Sequence, residues 1–166
     1  MTDTTTDAPT PQNPAGQPIF RLQKLFVKDL SFENPNAPEV FTVKQGEPKV
    51  DVNMSLHNKK MEGDGLYEVS LTINTKITHG ADNKVLFIIE VEQGGIFVLK
   101  NIPEEHIKAL LAVDCPAMIF PYTRQIISQL SVDGGFVPFL MEPVNFMALY
   151  QNSQRQAANQ QNPNNQ

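Results

Sequence analysis

Two stretches of this chain alternate apolar and polar residues with a period of two, and that period decides most of what the chain can become. In residues 49–57, Val50, Val52, Met54 and Leu56 share one side while Lys49, Asp51, Asn53 and Ser55 share the other. In residues 67–78, Tyr67, Val69, Leu71, Ile73 and Ile77 oppose Glu68, Ser70, Thr72, Asn74 and Lys76. Successive strand side chains point to opposite faces, so this pattern predicts antiparallel strands with one face packed and one wet. Gly63-Asp64-Gly65 between the two stretches reads as a hairpin connection, and His79-Gly80-Ala81-Asp82-Asn83 as the next turn.

Two further strands complete the set. In residues 20–33, Phe26, Lys28, Leu30 and Phe32 oppose Val27, Asp29, Ser31 and Glu33. In residues 84–100, Val85-Leu86-Phe87-Ile88-Ile89 does not alternate, which requires cover on both faces. Gly94-Gly95 inside that strand predicts a bulge or a close backbone approach. Between the first and second strands, Asn34-Pro35-Asn36-Ala37-Pro38 and the stretch to Pro48 favour a crossover loop over a tight hairpin.

After Pro103 the period changes. Pro103-Glu104-Glu105 starts a short helix, with proline in the first turn and acid at the positive end of the dipole; it is expected to end before Cys115-Pro116. A longer helix follows to about Val132, where Ile119, Tyr122, Ile126 and Leu130 repeat near period 3.5 and Phe120 and Ile127 widen the stripe. Pro121 predicts a kink or a broken first turn, and Asp133-Gly134-Gly135 stops the helix. A last helix is expected from near Pro143-Val144, carrying Phe146, Leu149 and Tyr150. Four strands followed by helices make an α+β fold.

Residues 2–18 hold five threonines, four prolines and no large apolar side chain, so residues 1–18 are expected to form a disordered tail. They also lack the basic and apolar regions of a secretory signal. Residues 152–166 hold ten Asn or Gln and are expected to be a second, polar tail, which leaves 19–151 as one domain. With 13 Lys+Arg against 18 Asp+Glu, the net charge of −5 argues against a nucleic-acid binder. The single cysteine fits a reducing compartment, and the longest apolar run, Val85 to Ile89, falls far short of the roughly 20 residues that span a bilayer. The expectation is a soluble, cytoplasmic protein.

Side chains that could carry catalysis are scattered. His57, His79 and His106 show no metal spacing, Cys115 has no local nucleophile signature, and there is no P-loop, GxGxxG, GxSxG or HExxH. The chain is read as no enzyme and as needing no cofactor or metal. Asp29 and Glu33 share a strand face with Ser31 between them and Glu90 on another strand, which is either a solvated face or an acidic docking patch. The apolar content is high for one sheet and a few helices, so the helices, other subunits or a bound partner must cover the remainder.

Four segments resemble the SecB family of bacterial protein-export chaperones: residues 28–38 (KDLSFENPNAP), 93–97 (QGGIF), 115–124 (CPAMIFPYTR) and 143–146 (PVNF) with Ala148-Leu149-Tyr150 after it. The likeness spans about Phe20 to Tyr150. It implies a cytosolic homotetramer, a dimer of dimers whose subunits pair into eight-stranded sheets with the long helices between them. It further implies a chaperone without catalytic activity that holds precursor proteins unfolded and passes them to SecA, the motor of the export channel. By resemblance, SecA's zinc-bearing C-terminal tail docks on Asp29, Glu33, Ile88 and Glu90, and the zinc belongs to the partner. The client groove is implied to run under the crossover loop, along Val50, Val52, Met54, Phe146 and Tyr150. Many relatives carry an aromatic residue before the proline matching Pro48, where this chain has Gln45-Gly46. An oligomeric adaptor or small-ligand carrier with the same fold is the alternative.

Overall fold

The computed structural model describes residues 16–44 and 46–160. The expected N-terminal tail therefore lies outside the described residues except for 16–18, where the Gln17 carbonyl accepts a hydrogen bond from Asn101 Nδ2 at 2.9 Å. Four long strands, β1 (Ile19–Glu33), β2 (Pro48–Lys60), β3 (Leu66–His79) and β4 (Val85–Lys100), form one antiparallel sheet in the order β1-β4-β3-β2. β1 and β2 are its edges. β4 lies between β1 and β3, and Phe87, Ile89, Val91 and Phe97 on its helix side are all buried, whereas Ile88 on the other face is only half-buried, so the cover expected on both faces is present on one.

The helical part packs on one face only. α1 (Glu104–Ala109), a π turn (Leu110–Asp114) and α2 (Cys115–Asp133) form one continuous run, which corrects the expected break before Cys115-Pro116. At the junction the Cys115 N–H bonds the Leu110 carbonyl, five residues back rather than four. The wider turn falls where Pro116 removes a donor and brings a ring, so the chain absorbs the proline without ending the helix. Pro121 likewise sits inside α2. The face of α2 turned to the sheet is Cys115, Ile119, Thr123, Ile127 and Ser131. Of the stripe read from the sequence, Ile119 and Ile127 lie on this face and Phe120 is buried beside it; Tyr122 is exposed, and Ile126 and Leu130 are half-buried.

α3 (Phe146–Gln160) starts later than expected, because Asn145 Oδ1 accepts the Ala148 N–H at 2.9 Å and caps the first turn. It runs nine residues into the segment expected to be a tail, Asn152 to Gln160. Gln, Ala and Arg are good helix formers, and a helix propagates through them once a packed first turn has met the cost of nucleation.

β1 also departs from simple alternation. Its register against β4 shifts between Leu22 and Lys24 and again between Val27 and Asp29. Each shift is a bulge that leaves one residue unmatched, so Phe26 and not Val27 lies on the face opposite the helices. Phe26 lies directly over Gly94, where a Cβ would stand 2.6 Å from its ring. The close approach at Gly94-Gly95 is made by side chains, Phe26 at Gly94 and Leu22 and Phe97 at Gly95, rather than by backbone, and the bulges lie on the partner strand.

Two buried threonines behave differently. Thr123 Oγ1 donates to Gln93 Oε1 at 2.7 Å, tying α2 to β4. Thr75 Oγ1 is buried with no partner among the described residues. Thr123→Val should cost about 1–3 kcal/mol by orphaning Gln93, whereas Thr75→Val should be neutral or stabilising by up to about 1 kcal/mol. Denaturant unfolding of the two variants checks the contrast.

Candidate functional site

The face of the sheet opposite the helices is polar and bare. The antiparallel register sets Asp29 beside Glu92, Ser31 beside Glu90 and Glu33 beside Ile88, and β3 continues these rows with Thr72, Asn74 and Lys76. The four residues singled out here, Asp29, Glu33, Ile88 and Glu90, thus lie together on one face over two neighbouring strands. Asp29 and Glu33 are exposed, and Ile88 and Glu90 are half-buried. Among the described residues, none of Asp29, Glu33 and Glu90 has a cation within ion-pair distance.

The bulge before Asp29 has an electrostatic effect that the sequence pattern conceals. It brings Lys28 onto the same face, where its Nζ lies 2.8 Å from Glu68 Oε1 and 3.3 Å from Glu92 Oε1. Lys59 Nζ holds the other oxygen of Glu68 at 2.8 Å. Lys28 and then Lys59 lower the Glu68 carboxyl below its ordinary value, and Glu68 in turn raises Lys28. One end of the face is thereby neutralised, and the Asp29–Glu33–Glu90 end keeps its negative charge.

The helix side of the sheet carries an apolar groove. Val50, Val52, Met54 and Leu56 pair with Ile77, Thr75, Ile73 and Leu71, so they point to the same side as the helices. No helix covers the near end of β2, and Val50 and Val52 stay 51% and 39% exposed. Beside them opens a cavity of about 410 Å³ lined by Gly46, Pro48, Val50, Ile77 and Phe87, and by Gly135 to Phe139 of the α2–α3 connector. Ser131 holds this connector: its Oγ accepts the Phe139 N–H at 2.8 Å and its carbonyl accepts the Phe136 N–H at 3.0 Å. The Phe136 ring lies 4.8 Å from Phe87 and 5.1 Å from Phe41 of the crossover.

Of the residues expected in the groove, Val50 lines the cavity, and Val52 and Met54 follow it on the same side of β2, outside the lining. Phe146 does not: it is 5% exposed and meets Phe120 edge-on at 5.9 Å in the core. Tyr150 is half-buried on α3, outside the lining of this cavity. The connector residues Phe136, Val137 and Phe139 were missed by the sequence reading. Their signal is GGFVPFL, an apolar run after a helix stop with no strand or helix period, in which Val137 remains 83% exposed.

Cys115 is buried, and burial pushes its thiol up to about 12, which leaves it an inert packing residue. Among the described residues no three His, Cys, Asp or Glu side chains converge as metal ligands, and no helix is long and apolar enough to cross a membrane.

Comparison with known proteins decides the lineage. Residues 13–157 match the family described as SecB, preprotein translocase subunit SecB. The chain is 56% identical over 153 residues to protein-export protein SecB of Desulfotalea psychrophila, covering 92% of this chain and 97% of that one. It is 48% identical over 147 residues to the protein of the same name from Magnetococcus marinus, covering 89% and 92%. The chain belongs to the SecB family. A SecB-like chaperone from Mycobacterium tuberculosis, solved with a peptide from the HigA1 antitoxin, shares the fold at TM-score 0.63 and 15% identity, over 76% of this chain and 91% of that one. SecB membership places this α+β sheet among the chaperones of protein export.

The Lys28–Glu68–Lys59 cluster makes a pH prediction for this SecB chain. A lowered carboxyl stabilises the fold above its unfolded value and loses that contribution as pH falls through the folded one. The stability gap between the wild-type chain and Glu68→Gln should therefore be full at pH 7 and shrink below the ordinary carboxylate value of 4.5. Urea midpoints across pH 3–7 measure it.

Proposed function

We propose that this chain holds unfolded precursor proteins in a translocation-competent state and delivers them to SecA, working in the cytoplasm as a homotetramer. The observation that carries the reading is the open apolar cavity at Val50 under the Phe136–Phe139 connector, with Val52 and Met54 next on the same side of β2. An extended, unfolded client offers apolar side chains to such a groove without its sequence being read. Each site pays the entropy of ordering the client, so useful affinity comes from several sites engaged at once.

Two uncovered surfaces support the assembly. β1 is a 15-residue edge strand with one side unpaired, a form that persists in soluble proteins only when something covers it. Pairing through β1 would make an eight-stranded sheet from two subunits. The outer stripe of α2, Tyr122, Ile126 and Leu130, would then be buried between two such sheets.

The acidic end of the other face is the proposed dock for SecA's zinc-bearing C-terminal tail, with Asp29, Glu33 and Glu90 attracting basic groups and Ile88 supplying apolar contact. The function needs no cofactor, and the zinc stays with the partner. Residues 19–151 form the proposed chaperone unit, with Tyr150 adding client contact from α3. The groove volume also lies within the range of small-ligand pockets, so a carrier of one compound is the competing reading. A carrier binds one ligand with fixed stoichiometry and ignores unfolded chains.

Two variants separate the surfaces. Glu33→Lys should weaken binding of the SecA tail peptide at least tenfold while client holding and assembly mass stay unchanged; calorimetry with the zinc-loaded peptide reads it. Val52→Lys should weaken binding of an unfolded client about thirtyfold, because a charge in an apolar groove costs about 2 kcal/mol. Its suppression of client aggregation should fall in step, with the SecA tail bound as before.

A further inference from the structure

His79, read from the sequence as the start of a turn and without metal spacing, has a partner on each ring nitrogen. It ends β3, and its side chain is only 15% exposed. Its Nδ1 lies 2.8 Å from Asp82 Oδ1. On the other side, the Gly46 N–H donates to its Nε2 at 3.0 Å. The Gly46 N–H needs a lone pair on Nε2, which only the neutral ring with its proton on Nδ1, facing Asp82, can supply. The Asp82 carboxylate also accepts the Lys84 N–H at 3.1 Å, which holds it ionised and in place.

Gly46 belongs to the crossover between β1 and β2, and with Pro48 it lines the groove cavity. The same limb of the crossover meets the same turn twice more. The Glu47 carbonyl packs against Gly80 where any side chain would have its Cβ, and Lys49 Nζ donates to Asn83 Oδ1 at 2.8 Å. The far limb is held separately, by Asn36 Nδ2 on the Val85 carbonyl at 2.9 Å and by Phe41 on Phe136. The returning limb, and with it the mouth of the groove, is positioned by the 79–83 turn.

We propose that His79 is a positioning residue of the client groove: its neutral ring latches the crossover limb over the groove mouth, and a proton taken up at Nε2 releases it. Protonation turns Nε2 from acceptor into donor, so the Gly46 N–H loses its partner. The Nδ1–H to Asp82 contact survives and becomes an ion pair, so the released state has its charge compensated within the turn. The sign follows: closing the latch favours the neutral ring, and lowering the pH opens it. The charged groups around the ring are Asp82 on the turn and Lys84 just before β4, Glu39 of the crossover's 3-10 turn in the adjoining pocket, and Glu47 and Lys49 on the limb itself. Asp82 alone among them contacts the imidazole.

The client side of this proposal rests on the groove reading above, so the test has two independent readouts. Amide exchange over residues 46–49 is measured from pH 8 to pH 5.5 and corrected for the intrinsic chemical rate, with core β3 and β4 amides reporting that the fold is intact. The wild-type chain should exchange about tenfold faster at pH 5.5 than at pH 8. His79→Gln, which keeps an acceptor that does not titrate in this range, should be flat, and His79→Leu should be fast throughout. Equal pH dependence in the wild-type chain and His79→Gln, or none in the wild-type chain, overturns the latch. The second readout is dissociation of reduced, carboxymethylated α-lactalbumin, taken as the ratio of wild type to His79→Gln so that changes in client charge cancel. That ratio should rise about tenfold towards pH 5.5, and a constant ratio overturns control of the groove by the latch. If no variant binds this client at any pH, the groove reading falls, while the exchange data still decide the latch.

Discussion

The packing of β4 between β1 and β3 is the constraint on which the rest of the molecule depends. Its helix-side residues Phe87, Ile89, Val91 and Phe97 form the middle of the core, and both of its backbone edges are spent in ladders. With β4 central, β1 and β2 become edges, and the two candidate surfaces sit near them. β1 brings its acids to the face without helices, and β2 brings its valines to the face with them. Gln93 of β4, bonded to Thr123, fixes where α2 crosses the sheet. That crossing leaves the end of β2 uncovered.

The two surfaces are separated by the thickness of one sheet. Consecutive residues of a strand point to opposite faces, so Glu33 and Ile88 on the acidic face are the immediate neighbours of Phe32 and Phe87 on the helix side. Phe32 stacks on Phe87 at 6.0 Å, and Phe87 meets Phe136 of the groove wall. On the proposed reading, a partner docked at Ile88 and a client seated against Phe87 would press on consecutive residues of β4. That arrangement would suit the proposed hand-over of one chain to another.

Legibility from sequence followed the strength of the period. β2 alternates cleanly over nine residues and β3 over twelve, and their faces were readable to the residue. β1 was readable in extent but not in facing, because a bulge at Lys28 costs one residue and leaves no mark in a strand whose polar and apolar residues already mix. The acidic row survived this error, since Asp29, Ser31 and Glu33 all lie beyond the bulge. The helix junction was misread because Cys115-Pro116 looks like a stop, and only the register of the backbone shows that a π turn takes it in. Composition misled at the other end: the Asn/Gln-rich stretch after Tyr150 suits a tail, yet the capped α3 carries through it to Gln160. Phe146 looked like a groove residue by resemblance but is spent in the core against Phe120, and the connector that does wall the groove has no period to read.

The central claim is that several open grooves in one assembly hold an unfolded chain, and static light scattering measures it most directly. The purified protein is measured alone, with a reduced and unfolded precursor, and with the same precursor folded. A mass of four chains that rises by one client only when that client is unfolded is the predicted result. A monomer, or an assembly whose mass is indifferent to the unfolded chain, would contradict the account and leave this protein with the SecB fold alone.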